Sequence, residues 1–541
     1  MNWCGNLKEN AIMKILRIIV AAAFAATIFS CMKEEMNETT KVSLTFNVTN
    51  EASASKATLN ENAVEFQAGD KIGVWDGTDM NCFETVAGGA NASFSGSAAS
   101  AATYILISPY NDNYSVSGSV VTYTIPEIQV ATPGSVDPNA LVSMAKVAGT
   151  SGEVSLYNCV GLVKVTVPGG LTVKEIHVGG GKGSTVGICG SFKFNTNDQS
   201  VQYVDAGSMR TSITLVPQAG ENVIAPGTYY IAVRPNTYSG LAVAYVNAEN
   251  QLCKRTTANS VSVARNHILP VGTLNTANFT ANTGTAVLRT SGDEIQFTGR
   301  VKLIAGGTGT ATEDNATIEH AVIKAHTLFD GNFNTSANTV SSGLGNTSIF
   351  AYIKGNTLYV CTEAPKIQLQ TASNYLFRNF KNLKTVTFNN VDSQSSATLE
   401  RMFSGCTNLE SVDFGDCDFS KVANMQFMFE SCPNLKVARF GNTATTSLQY
   451  CKAVFMGCTW MTELNLGPNF TISHIADKTQ CNNMFYDTAK DSNAAAGADV
   501  SKKCHLYMSQ AEYDAARADK EGVCKNSALN PARFYFVPVT E

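Results

Sequence analysis

Apolar and polar residues alternate soon after position 40, with Val42, Leu44, Phe46 and Val48 on one side of the pattern. A period of two is that of a half-buried strand. Further short apolar runs follow at Ile72–Trp75, Phe94-Ser95-Gly96 (read as a turn), Tyr104–Ile107 and Gly227–Val233, punctuated by Gly, Asn and Ser through residue 270. No long stretch with a helical period interrupts them. The pattern predicts a mainly β chain that begins with an all-β sandwich, or two in tandem. Residues 276–286, small and polar, read as a linker. A β-rich segment at 287–370 follows, in which Ile295, Phe297, Val301 and Leu303 suggest a strand and Gly355-Asn356 a hairpin turn.

Beyond residue 370 a second rhythm takes over. Phe377, Phe403, Phe429 and Phe455 share a stride of 26 residues, as do Leu383, Leu409, Leu435 and Met461, and Phe388, Phe414, Phe440 and Leu466. Cys406, Cys432 and Cys458 keep the same step, with Phe380 in the equivalent first position. Within one unit, Leu399, Met402, Phe403 and Cys406 fall at i, i+3, i+4 and i+7, which predicts a short helix. A strand led by Leu409, with Val412 and Phe414 inward, comes next. A unit of this size cannot bury its apolar face alone, so the copies must stack around a shared interior. The expectation is a short α/β solenoid over 371–490, with 491–541 as a C-terminal cap. The strand residues that point away from the interior form two rows: Thr385, Ser411, Val437 and Glu463, then Thr387, Asp413, Arg439 and Asn465. These are the candidate ligand-binding residues. Helices of adjacent units would sit ~8–10 Å apart, too far for a disulfide, so the repeat cysteines are expected to be reduced. Whether Cys504 and Cys524 pair is left open.

The N-terminus changes the compartment. Lys14 and Arg17 precede the apolar run Ile18–Ser30, which ends at Cys31. That is the layout of a signal peptide over 1–30, and it is too short to span a bilayer comfortably. The start codon is Met1 or Met13. Only 15% of residues are charged, against about 25% in an average soluble protein. Net charge is −5 and no basic run follows the leader, so nucleic acid is an unsuitable partner.

The residues offer no catalytic constellation. Metalloprotease, nucleophile-elbow and Cys-x-x-Cys patterns do not occur, and Gly179–Thr185 lacks the order of a phosphate loop. His320 and His326 are six apart, and Asp416-Cys417-Asp418 lacks the glycine and glutamate of a calcium loop. No enzyme, no cofactor and no metal site are expected.

Several strings resemble known families. Ile28-Phe29-Ser30-Cys31 resembles the lipobox of bacterial lipoproteins, which implies lipidation of Cys31, a lipidated tether over 31–41 and membrane anchoring. Met32–Glu35 resembles the export signal of lipoproteins displayed on the outer surface in Bacteroidetes-like bacteria. Phe66–Val74, Phe94–Gly96 and Gly227–Pro235 together resemble the fimbrillin-like family, which implies two transthyretin-like β-sandwiches, at 42–150 and 151–275, and a role in pili or adhesion. Arg401–Leu409 and Phe419–Phe429 resemble BspA-type leucine-rich repeats, which implies adhesion to host or bacterial surface proteins. Asp487-Thr488-Ala489 resembles an O-glycosylation acceptor at Thr488. Taken together these imply a surface-exposed outer-membrane lipoprotein that binds through its repeats. The alternatives are a pilus tip or anchor component in contact with pilus subunits, and a glycan-capture lipoprotein.

Overall fold

The computed structural model describes residues 41–51, 65–149, 151–180, 187–204, 210–289, 296–309, 317–327, 336–371, 373–393, 397–491, 499–519 and 529–540. The leader with Cys31, Ile295, most of the glycine-rich 179–185 segment and Cys524 lie outside these. The chain is mainly β and divides into two compact units.

The first unit is built on seven strands whose order closes into a ring. It runs Lys41–Asn50, Ser151–Asn158, Ser143–Ala148, Thr103–Ser108, Lys71–Trp75, Met80–Thr85, Asn91–Ala99 and back to Lys41–Asn50. The alternation in the first strand does what its period demands: Leu44, Phe46 and Val48 are buried between exposed neighbours. Phe46 packs against Phe83 and Tyr104 at ring-centroid distances of 6.0 and 5.8 Å. Gly96 corrects one expectation. It lies inside the strand Asn91–Ala99, not at a turn. A methyl group there would sit 2.7 Å from the Phe83 ring, so the glycine makes room for the aromatic core.

The expected boundary at residue 150 also moves. Ser151–Asn158 pairs with Lys41–Asn50 and completes the first ring, while Ile128–Val130 pairs with Ser212–Val216 in the second unit. An alternating strand reads the same whichever sheet it joins, so local pattern could not place it.

The second unit contains a sandwich. One sheet has the order Gly227–Val233, Gly161–Val167, Ile268–Thr273. The other runs Thr280–Ala281, Leu252–Thr257, Leu241–Val246, Glu175–Gly180, Ser212–Val216, Ile128–Val130. The segment read as a linker is fastened to this second sheet. Thr280–Ala281 pairs with Cys253 and Lys254, and Phe279 is buried with its ring centroid 5.5 Å from that of Tyr245.

The same unit continues into a nine-stranded sheet in which His320–Lys324, Thr385–Asn389, Ser411–Asp413, Val437–Arg439, Glu463–Gly467, Cys504–Met508 and Phe534–Pro538 run parallel side by side. The antiparallel hairpin Ile349–Lys354/Thr357–Thr362 closes one end and turns at Gly355 with φ +59°. Phe297–Ile304 is a helix, which corrects the strand expectation: Phe297 and Val301, four apart, share its buried face.

The repeats stack, but without the predicted helices. Overlapping four-residue β-turns replace them. Met402 N donates to Leu399 O at 3.2 Å, Ser404 N to Arg401 O at 3.2 Å and Cys406 N to Phe403 O at 3.0 Å. The intervening amides leave the coil altogether. Arg401 N, Phe403 N and Gly405 N donate to Gln426, Met428 and Glu430 of the next coil at 3.0, 2.9 and 3.0 Å. Arg401 and Gly405 have φ of +52° and +80°, and Phe427/Ser431 and Ala453/Gly457 copy them. Two left-handed residues four apart in each unit cannot belong to a right-handed helix. Consecutive tight turns present the same residues inward as a helix would, which is why the spacing misled.

The interior is a column of rings. Phe377, Phe403, Phe429, Phe455 and Phe485 stack face to face at 5.5, 5.2, 5.7 and 5.7 Å, within 11° of parallel. Each ring buried contributes ~1.5–3 kcal/mol. Glycines let the coils close up beside the sheet. Gly441 has φ +63°, and a methyl group on it would lie 2.0 Å from the Gly415 carbonyl oxygen.

Candidate functional site

Alternation within the parallel strands decides which side chains face outward. Val386, Val412, Ala438 and Leu464 are buried inside, so their neighbours must lie on the opposite face. The register aligns Thr385, Ser411, Val437 and Glu463 in one row and Thr387, Asp413, Arg439 and Asn465 in the next. Thr387 and Arg439 are exposed, and the other six are half-buried.

Sequence reasoning missed the rest of both rows. The first is extended by His320 at one end and by His505 and Tyr535 at the other, and the second by Tyr507 and Val537. The His505 ring lies 6.3 Å from Tyr507 and 5.4 Å from Tyr535 between centroids. Residues 505 and 535 fall off the 26-residue stride. The available signal was the alternation in Cys504-His505-Leu506-Tyr507-Met508, which marks one more strand of the same kind.

Charges on this face are matched among themselves. Arg439 grips Glu463 through two bonds, Nε to Oε1 at 2.7 Å and the terminal nitrogen to Oε2 at 3.1 Å. Its other nitrogen is 4.0 Å from Asp413. The hydrogen bond that Arg439 donates to Glu463 raises the Arg439 pKa further and keeps the guanidinium charged. Beside the rows, Lys384 bonds Glu319 at 2.8 Å and Lys436 bonds Glu410 at 3.0 Å. His320 Nδ1 and Thr385 Oγ1 are 2.7 Å apart. The result is a hydrogen-bonding surface with ion pairs, threonines and, at its C-terminal end, three aromatic rings.

At the other end of the sheet the second sandwich meets the repeats through a charged seam. Glu175 Oε2 lies 3.2 Å from His177 Nε2, 3.3 Å from Lys324 Nζ and 3.9 Å from His326 Nε2. Burial would raise the Glu175 pKa, but the His177 hydrogen bond and the charges of His177, Lys324 and His326 outweigh it and hold the carboxyl well below its usual range. Burial lowers His326 to about 4 in spite of Glu175. Lys254–Glu363 and Asn250–Asn390 add further links across the seam.

Thr488 is not a glycan acceptor in this fold. It is fully buried, and its hydroxyl donates to Phe455 O at 2.8 Å. The hydroxyl takes the place of the thiols in the coils before it: Cys406, Cys432 and Cys458 donate to Phe377, Phe403 and Phe429 carbonyls at 2.9, 3.0 and 3.5 Å. These thiols are free. The expected reason for their freedom fails, because the coils stand about 5 Å apart and not 8–10 Å. Their direction, toward a carbonyl in the preceding coil, is what keeps them apart. Burial pushes the Cys406 thiol up to about 12 and raises Cys432 and Cys458 as well. Among the described residues no group of His, Cys, Asp and Glu is placed to hold a metal, and no helix is long and apolar enough to cross a membrane.

No protein-family model matches the chain, and no protein of curated function matches it. Solved structures do resemble part of it. A candidate cell adhesion protein from Bacteroides uniformis shares 15% identity over 46% of this chain and 97% of its own, with a TM-score of 0.30. A fimbrial protein from Bacteroides ovatus shares 10% identity over 44% of this chain and 49% of its own, TM-score 0.22. The tip fimbrial protein Mfa3 from Porphyromonas gingivalis shares 9% identity over 44% and 98%, TM-score 0.21. At TM-scores this low the likeness carries no argument about this chain.

Proposed function

We propose that the chain is a surface-exposed lipoprotein, anchored in the outer membrane through Cys31, that acts as an adhesin through the outward face of its repeat sheet. The observation that carries this reading is the register of that face. An interior held constant by stacked Phe rings supports rows in which Thr385, Ser411, Val437 and Glu463 differ freely from coil to coil. A rigid scaffold with variable outward positions is how solenoids present binding surfaces. The repeats are of the BspA-like leucine-rich type on this reading, the β domains are fimbrillin-like, and the partner is a protein on a host or bacterial surface. On this reading the role of the face is binding and not catalysis.

The aromatic end, His505, Tyr507 and Tyr535, favours a second reading in which the face takes a glycan. Flat rings beside hydrogen-bonding groups suit the apolar faces of sugars. One experiment addresses both. The purified full chain is presented to a panel of extracellular-matrix proteins, bacterial surface proteins and neutral glycans. The double variant Arg439→Ala/Glu463→Ala is expected to weaken protein capture at least tenfold, whereas Tyr507→Ala is expected to abolish glycan capture. If neither variant alters any binding seen, this face is not the site. Separately, Cys31→Ala is expected to remove fatty-acid labelling of the protein in its host and release it from the membrane fraction.

A further inference from the structure

The stride of the repeats is 26 residues until Phe455, and then lengthens to 30 before Phe485. The longer coil still docks in register. Cys451 N donates to Gln480 O at 2.9 Å and Ala453 N to Asn482 O at 3.1 Å. These bonds repeat the pair Met425 N to Tyr450 O and Phe427 N to Lys452 O one coil earlier. Just as Met425 stands beside Cys451, Cys451 therefore stands beside Cys481. At this one step of the column, Leu399–Met425–Cys451–Cys481, two thiols occupy adjacent rungs, and both are fully buried.

Adjacent parallel backbones lie ~4.8 Å apart, and a disulfide spans Cα separations of ~4.4–6.8 Å. The rings of Phe455 and Phe485, on the same two coils, are 5.7 Å apart. The orientation differs from that of the other cysteine column. Cys406, Cys432 and Cys458 spend their hydrogens on backbone carbonyls, whereas the Cys451 and Cys481 thiols act on each other, Cys481 raising the pKa of Cys451 and Cys451 lowering that of Cys481.

We propose that Cys451 and Cys481 are a cross-linking site: they form an intrachain disulfide that staples the longer coil to the regular stack. The oxidant is a disulfide of the thiol-exchange class, either a small molecule or a protein. The Cys481 sulfur, as thiolate, attacks that disulfide and expels one thiol, forming a mixed disulfide. Cys451 then loses its proton, attacks the Cys481 sulfur and expels the second thiol. Two protein thiols lose two hydrogens, and the oxidant gains them as two thiols. The site is closed to solvent in the folded chain, so the exchange takes place before this coil docks.

The test uses the full chain refolded with oxidised glutathione and, in parallel, with a reducing thiol. Free thiols are trapped with N-ethylmaleimide in acid denaturant, and tryptic peptides are weighed. Phe440–Lys452 and Thr479–Lys490 each carry a single cysteine. The expected result is that these two peptides are linked in the oxidised sample, two hydrogens lighter than their sum, while Cys406, Cys432 and Cys458 are alkylated. The oxidised chain should also unfold several degrees above the reduced chain, a difference lost in Cys451→Ser. Recovery of both peptides alkylated after oxidation overturns the proposal, as does their linkage to other cysteines. The mass readout on the unaltered chain stands even if the variant fails to fold.

Discussion

Cys432 Sγ donates to the carbonyl oxygen of Phe403, 3.0 Å away in the preceding coil. The turn that carries Phe403 sends that carbonyl inward, and the thiol supplies the donor. The same place is held by a hydroxyl at Thr488, so the position selects a small side chain with a hydrogen to give. The same carbonyl also accepts Cys406 N at 3.0 Å, so loss of the thiol removes the second of two bonds, worth ~0.5–1.5 kcal/mol. Cys432→Ala is therefore expected to destabilise the chain by about that amount, and Cys432→Thr by less than half as much. Urea unfolding followed by near-ultraviolet signals distinguishes the two.

Phe429 lies between Phe403 and Phe455, with rings 5.2 and 5.7 Å away. Phe429→Ala removes both contacts and leaves a cavity in a closed interior, for which ~3–5 kcal/mol is the usual loss. Thr387→Ala, on the outward face, is expected to stay within about 0.5 kcal/mol of the unaltered chain. Equal losses from the two in denaturant titrations would show that the column is not the core.

Gly441→Ala tests the close approach of the coils. Its methyl group would meet the Gly415 oxygen at 2.0 Å, on a backbone with φ +63°. Both terms oppose the substitution, and a loss of at least ~2 kcal/mol is expected. Gly355→Ala, at a hairpin tip with open space around it, should lose only the smaller backbone share.

Acid should loosen the seam between the second sandwich and the repeats. His326 has a folded pKa near 4, below the ordinary ~6.5. Above pH ~6.5 it is neutral folded or unfolded. Between that pH and 4 the unfolded chain takes up a proton that the folded chain refuses, so stability falls as pH drops. Glu175 is held below its usual range. Its contribution is complete above ~4.3 and is lost as pH falls through its folded value. Melting temperature is thus expected to decline from pH 7 to pH 4, with a shallower slope in His326→Gln. A flat profile for the unaltered chain would contradict this account.

The repeats were legible because their stride is fixed by stacking: every coil must place Phe, Leu and Cys at the same depth, and the phase shows in one chain. The local conformation was not legible. Leu399, Met402, Phe403 and Cys406 turn inward in a run of tight β-turns as they would in a helix, and only backbone geometry separates the two. The two outward rows followed from alternation, but His505 and Tyr535 escaped because insertions broke the stride ahead of them. The first boundary was misplaced for a different reason. Ser151–Asn158 finds its partner more than a hundred residues earlier, at Lys41–Asn50, and pairing at that range leaves no local trace. Thr488 looked like an acceptor because three letters say nothing of depth.

The constant stride makes the array tolerant of change in whole units. In the sheet Ser411 and Val437 occupy equivalent places, each following a residue, Glu410 or Lys436, in the same position. Excising 411–436 would join Glu410 to Val437 at a point where the chain already runs in the right direction, at the right height and with the right face outward. Recombination between such copies can shorten or extend the array without new core contacts having to arise, so the area of the outward face can change across generations while the fold beneath it does not.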